Sequence, residues 1–274
     1  MVVAPMFQVA ADDSGKCPAA GAPAAQPGDL VWTCQSWIEG AAAENAGLGS
    51  NDAIDALVAE LVRQQPGIRT ITIAGFSAGA QMVQHYIGFA AVQPRGGPAI
   101  RYVVADPGSW LYFDAVRPHA MRNGAPATMA SCSDLKGQLG ECTFVFDDST
   151  VAQENAACPG MNSWKYGLEA LPASLGRNAT AARAVYVAAE IHYIQAELDS
   201  RAGRGTAYHV LDKSCAANAQ GLFRLQRGMA YADYDNARLA PGKQRRVTVV
   251  PNCAHDASCV IPHDAVREAL LGPP

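Results

Sequence analysis

The chain has 274 residues, 49% of them hydrophobic, and a formal net charge of 21 − 25 = −4 with a pI near 5.8. That length and apolar content can bury one large core, and with no composition shift or linker to mark a boundary, residues 1–274 read as a single domain. The charge balance leaves no basic footprint for nucleic acid and no polybasic anchor for anionic lipid, and no apolar run is long enough for a transmembrane segment, so small or neutral partners are expected.

Hydrophobic runs alternate with helical patterns along the whole length, which predicts an α/β fold: a mostly parallel central sheet with helices on both faces. Residues 2–4 read as a first strand and 30–33 as a second, with an Ala/Pro-rich loop at 18–27 between them. Residues 51–64 read as a helix capped by Ser50 or Asp52, with Ile54, Leu57, Val58, Leu61 and Val62 as its apolar positions. The β-branched run Thr70-Ile71-Thr72-Ile73-Ala74 is a strand, followed by Gly75-Phe76-Ser77-Ala78-Gly79 and a helix over 80–91. Residues 101–105 form another strand, stopped by Asp106-Pro107-Gly108.

From 114 to 157 the periodicity fails, and Pro118, Pro126, Cys132 and Cys142 punctuate what reads as an irregular cap or excursion over the sheet. A helix over 180–189, a strand over 190–196, a helix over 216–231, a strand over 246–250 and a closing helix over 263–271 complete the chain.

Gly75-Phe76-Ser77-Ala78-Gly79 between strand and helix reads as a nucleophile elbow. A serine on so tight a turn needs small neighbours two residues to either side, because the backbone passes too close for a Cβ. The turn lifts the Ser77 hydroxyl clear of the sheet and sets the Ala78 N–H, at a helix N-terminus, where an oxyanion would develop.

In open α/β sheets the functional groups gather outside the carboxyl ends of the strands, so the partners of Ser77 are sought in loops after later strands. His255, in Pro251-Asn252-Cys253-Ala254-His255-Asp256, follows the last strand and is the candidate general base; the other five histidines lie on helices, in strands or in less suitable loops. The acid of such a triad follows the strand preceding that of the base, which selects Asp199 in Gln195-Ala196-Glu197-Leu198-Asp199. Asp212 is its chief rival, with Glu190 and Asp106 behind it. A second oxyanion donor is expected after an early strand, at the Phe7 N–H or alternatively that of Met6, and Trp110 and Tyr112 are candidates to line an acyl or aromatic subsite, or else core.

Eight cysteines fall mostly as near neighbours, Cys17 with Cys34, Cys132 with Cys142 and Cys253 with Cys259, with Cys158 and Cys215 besides. Four disulfides are expected, although eight cysteines allow 105 connectivities. Such usage points to a secreted or periplasmic protein. Residues 1–5 carry neither the charged nor the apolar part of a signal peptide and read as a start left by processing or truncation. Cys253, His255, Cys259 and His263 could together ligate zinc, but their spacing matches no familiar module, and a Cys253–Cys259 bridge would clamp the loop while leaving His255 free. No metal and no cofactor are expected.

With elbow, late histidine and intervening acid in place, the chain resembles the α/β-hydrolase superfamily, its carboxylic ester hydrolases in particular, over nearly its whole length. Within it the chain is similar to a group of secreted bacterial and fungal hydrolases, through residues 105–112 (Ala-Asp-Pro-Gly-Ser-Trp-Leu-Tyr), 162–168, 211–215 and 219–228. The group carries its acid in a Gly-Glu-x-Asp turn, which 196–199 matches with Ala in place of Gly, and the resemblance so implies Asp199 independently. It also implies that Cys158 pairs with Cys215, and that the first strands of the usual eight-stranded sheet are missing before Val2.

The expected activity is hydrolysis of carboxylic esters, whether small-molecule, lipid or polyester, through an acyl-enzyme on Ser77 with His255 and Asp199. An amidase or peptidase with the same triad and a catalytically silent binding protein on this fold are the alternatives.

Overall fold

The structure, a computed structural model, describes residues 1–9, 25–91, 96–132 and 142–272. Cys17 lies outside them, so the expected Cys17–Cys34 pairing does too.

In chain order come β1 (Gln8–Val9), β2 (Val31–Trp32), α1 (Ser50–Gln64), β3 (Thr70–Phe76), α2 (Ala78–Phe89) and β4 (Ala99–Ala105). The excursion comes next, with β5 (His119–Arg122), β6 (Ala125–Pro126), β7 (Cys142–Val145) and α3 (Val151–Ala157). The chain then runs through α4 (Ala179–Ala188), β8 (Glu190–Ala196), α5 (Cys215–Asn218), α6 (Arg224–Tyr234), β9 (Val247–Val250), α7 (Ala257–Val260) and α8 (Asp264–Leu271).

Among the described residues the central sheet is β3-β4-β8-β9, parallel throughout. Its register pairs Phe76 with Ala105, Ala105 with Ile194, and Ala196 with Val250. All four carboxyl ends therefore open at one rim. Side chains alternate across the pleat, so Tyr102, Val104, Ile191 and Tyr193 join the core under α2, α4 and α6. Val103, Ala105, Ile194 and Ala196 face the opposite core, with Val260 of α7 and Val266 of α8. Burial of both faces is what a continuous apolar strand requires in a parallel sheet.

The first strand is not at 2–4: those residues carry no strand, and Val2 and Val3 are exposed. The early sheet is reduced to a two-residue parallel pair, β1 with β2. The helix expected over 216–231 is two helices, broken where Gly221 adopts φ +138°. The excursion is more ordered than its periodicity implies, because strands of two to four residues are too short to show one. They form an antiparallel sheet, β6-β5-β7, whose Cys132–Cys142 disulfide and Phe144 pack on Ala230 of α6.

The segments that carried the family resemblance converge. Gln84 of α2 holds both polar groups of Leu111, accepting from its N–H at 2.9 Å and donating to its carbonyl at 3.1 Å, and Gln220 does the same for Trp110 at 2.8 and 2.7 Å. The buried Arg227 guanidinium donates to the carbonyls of Gly221 and Asp212, both at 2.8 Å, and of Gly108. Cys158 is bonded to Cys215. These contacts satisfy backbone groups that would otherwise cost about 1–3 kcal/mol each to bury, and they fix the loop that begins at Asp106.

Candidate active site

Ser77 joins β3 to α2 with φ 57° and ψ −120°, a conformation L-residues rarely adopt. Its N–H donates to the Ala105 carbonyl at 2.9 Å, tying the turn to the end of β4. The turn is possible because residue 75 is glycine: a Cβ there would meet the Gly79 carbonyl oxygen at 2.2 Å and the Ala80 nitrogen at 2.6 Å. Gly79 does not share that requirement, since a Cβ on it would meet nothing within 4 Å. The strain is one-sided because the chain folds back over residue 75 and leaves the first turn of α2 open on its outer side. Ala78, as first residue of α2, has no intrahelical acceptor for its N–H.

His255 sits on the loop after β9, with its ring almost wholly buried at 6% exposure and stacked on Phe76, centroids 4.8 Å apart. Its Nε2 is 2.7 Å from the Ser77 hydroxyl oxygen, and its Nδ1 is 2.8 Å from a carboxylate oxygen of Asp199. The loop is held from three sides. The His255 N–H donates to the Gly205 carbonyl at 3.0 Å, the Leu198 N–H to the Cys253 carbonyl at 2.8 Å, and the Asn252 N–H to Glu197 at 2.7 Å. The Cys253–Cys259 disulfide closes it. Bonded to each other, these cysteines offer no thiolate, so the four-ligand zinc arrangement of the sequence cannot form with them.

Asp199 lies in a turn after β8, its N–H reaching back to the Ala196 carbonyl at 3.2 Å. It is buried beside Arg224, the first residue of α6, whose guanidinium is 3.4 Å from the same Asp199 oxygen that faces His255 and donates to the Thr206 carbonyl at 2.8 Å. Asp106, a minor rival for the acid by sequence, is also here. It is fully buried at φ 52°, with one carboxylate oxygen accepting from the Ala196 N–H at 3.0 Å and the other 3.8 Å from His255 Nδ1. Nothing in the residue string around Asp106 distinguishes it from a loop-forming Asp-Pro-Gly; only its position one residue past a strand end carries a signal.

The other candidate acids are engaged elsewhere. Asp212 accepts from the Tyr166 hydroxyl and, at 2.9 Å, from the Ser214 N–H. Glu190 begins β8, at the opposite end of the strand from Asp199, and is paired with Lys243.

Burial pushes the His255 imidazolium down, but the carboxylates of Asp106 and Asp199 outweigh it, and its pKa stands above the ordinary histidine value. Burial raises the Asp106 carboxyl to about 6, only partly opposed by the histidine. His85, in contrast, is depressed to about 4 by burial inside the fold, with Nδ1 donating to the Ile38 carbonyl at 3.1 Å.

Trp110 and Tyr112 do not line a subsite. Both are completely buried: Trp110 is stacked on Tyr231 at 4.4 Å and 16°, and Tyr112 packs against Tyr231 and Tyr234 with Arg117 over its ring. The loop after β4 turns inward, drawn by Gln84 and Gln220, and its aromatics fill the core instead of the rim. Phe7 and Met6 precede β1 instead of following an early strand, so the ground for taking either N–H as the second oxyanion donor falls away; the Phe7 ring lies between Trp32 and Trp37, at 5.2 and 5.3 Å, and lines a cavity of about 530 Å³ with Met6, Trp32 and Ile54.

No protein-family model and no curated protein matches the sequence. Among solved structures the chain is similar to the poly(3-hydroxybutyrate) depolymerase LpqC of Bordetella parapertussis, at 15% identity over 87% of this chain and 66% of that one, with a TM-score of 0.53. It is similar also to poly(aspartic acid) hydrolase-1 of Sphingomonas sp. KT-1, at 17% identity over 82% of this chain and 67% of that one, with a TM-score of 0.49. The chain thus spans about two thirds of the length of each. At 15% identity the likeness to the depolymerase is one of fold.

Proposed function

We propose that this chain, whose fold is that of the α/β-hydrolases, is a serine hydrolase that cleaves carboxylic esters through an acyl-enzyme. The observation that carries the reading is the convergence on one ring of the Ser77 hydroxyl, 2.7 Å from His255 Nε2, and the Asp199 carboxylate, 2.8 Å from Nδ1. Serine is a weak nucleophile at its free pKa and becomes a useful one when a base takes its proton as it attacks.

In this scheme Ser77 attacks the ester carbonyl while its proton passes to His255 Nε2. The tetrahedral oxyanion is received by the N–H of Ala78, at the positive end of α2. The intermediate collapses as the imidazolium gives that proton to the departing alkoxide, leaving Ser77 acylated. Water then repeats the sequence, its proton taken by His255 and returned to Ser77 as the acid leaves. Asp199 holds the imidazole with its proton on Nδ1 and stabilises the cation.

The substrate class is an ester small enough, or a lipid or polyester chain end flexible enough, to reach the rim. One structural relative is a polyester depolymerase, which fits the polyester option without selecting it. The disulfides fit a secreted or periplasmic setting, and among the described residues no helix is long and apolar enough to cross a membrane.

A fluorophosphonate probe followed by peptide mass spectrometry tests the reading. Labelling confined to Ser77, lost in Ser77→Ala together with at least about 10⁴-fold of kcat on an activated ester, is the expected result. Folded protein that takes no label sinks it in favour of a silent binding protein. Paired ester and anilide substrates separate esterase from amidase.

A further inference from the structure

The carboxylate of Asp106 has a free side that the acyl transfer from Ser77, His255 and Asp199 leaves unused. Residue 106 directly follows β4, the strand between the one that presents Ser77 and the one that leads to Asp199. One of its oxygens is committed to the Ala196 N–H at 3.0 Å, which locks the side chain across the ends of β4 and β8. The other is fully buried, has no hydrogen-bond partner, and lies 3.8 Å from His255 Nδ1. A buried carboxylate oxygen left unpaired is costly, and the one cationic centre within its reach among the described residues is the imidazolium that forms during turnover.

The ionisable groups facing His255 are Asp106 at the end of β4, Asp199 in the turn after β8, and Arg224 on α6. Arg224 contacts the very oxygen of Asp199 that faces the histidine, so one cation already draws on that acid. With Asp106 ionised, the site sums to −1 with neutral histidine and to zero with the imidazolium. Without it the sums are zero and +1. A water-poor site disfavours a net charge, so the presence of a second carboxylate makes the protonated base the balanced state.

We propose that Asp106 is a positioning residue of the catalytic base, a second carboxylate that shares the His255 imidazolium with Asp199 and supports it when Asp199 is lost. The proposal rests on the triad reading. It departs from a simple triad in that the base answers to two acids from two adjacent strand ends.

The test is the pH dependence of kcat/KM on an activated ester, and of the fluorophosphonate labelling rate, in wild type, Asp106→Asn, Asp199→Asn and the double variant. The amide introduced by Asp106→Asn would keep an acceptor for the Ala196 N–H while losing the charge. Removing a carboxylate this close should move the acidic limb of the profile down by about one unit or more, and should lower the rate at its plateau far less than Ser77→Ala does. Asp199→Asn should lose about 100-fold, against the roughly 10⁴-fold of a triad whose only acid is changed, and adding Asp106→Asn should take a further tenfold or more.

An Asp106→Asn protein whose acidic limb coincides with wild type, or a double variant no slower than Asp199→Asn alone, overturns the inference while leaving the triad standing. Loss of Ser77 labelling in wild type would overturn the triad itself, so the two failures are distinct. Should Asp106→Asn not fold, Asp106→Ser removes the charge without adding volume and is read the same way.

Discussion

The ring of Phe76 lies against the ring of His255, centroids 4.8 Å apart and planes inclined by 30°. The residue that precedes the proposed nucleophile in sequence thus forms one wall for the proposed base, which stands near the other end of the chain. Phe76→Leu retains apolar volume but removes the flat face. An aromatic stack is worth about 0.5–1.5 kcal/mol, so kcat/KM on an activated ester should fall by about two- to tenfold with little change in Tm. An unchanged kcat/KM would show that the polar contacts with Ser77 and the carboxylates alone hold the imidazole.

The two elbow glycines should respond differently. In Gly75→Ala the new methyl must displace the backbone of Gly79, whose carbonyl oxygen is 2.2 Å from the Cβ position, so we expect activity to collapse and Tm to drop. Gly79→Ala meets open space within α2 and replaces a poor helix former with the best, a gain of about 0.5–1 kcal/mol. Thermal melts and ester assays of the pair would decide it, and equal damage from both would contradict the one-sided packing of the turn.

The acidic limb of activity should lie above the ordinary histidine value. His255 must be neutral to accept the Ser77 proton, and its folded-state pKa is raised by the two carboxylates against the opposing effect of burial. The kcat/KM profile should therefore reach half its plateau above about pH 6.5. A midpoint at or below that value would indicate that desolvation wins.

Stability has a separate acid dependence through His85. Its pKa is depressed from 6.5 to about 4, so the folded state favours the neutral ring; the stability this confers is whole above pH 6.5 and is lost as pH falls toward 4. That depression corresponds to roughly 3 kcal/mol. Urea midpoints of wild type and His85→Gln, compared at neutral pH and near the depressed value, should show the steeper acid loss in wild type. Parallel losses would assign acid lability elsewhere.

The Cys253–Cys259 bridge should matter more to activity than its six-residue span suggests. Replacing both by serine removes the closure of the loop that carries His255, and a small loop of this kind contributes about 2 kcal/mol. We expect lower Tm and reduced kcat with KM little changed. A chelator should leave the activity of the wild-type protein intact.

The elbow was legible because it is local: a β-branched strand, a turn that tolerates only glycine at 75, and a helix come one after another within about twenty residues. The late histidine and the order Ser, Asp, His along the chain were legible for the same reason, each being a residue just past a strand end. Less could be read where strands are two to four residues long, as in the excursion, or where one glycine at φ +138° divides a helical pattern in two.

What the sequence determined by itself was the sheet-forming and helix-forming periods and the residue types that must stand at strand ends, since these arise from backbone sterics and burial within single elements. Which carboxylates meet the histidine was decided only by the tertiary structure. Asp106, Asp199 and Asp212 each stand after a plausible strand or turn, and only the parallel register of β4, β8 and β9 brings the first two to His255 while Tyr166 draws the third away. The fate of Trp110 and Tyr112 was likewise tertiary. Two glutamines far apart in the chain, Gln84 on α2 and Gln220 just after α5, pull that segment into the core, and a buried backbone segment goes where its hydrogen bonds can be met.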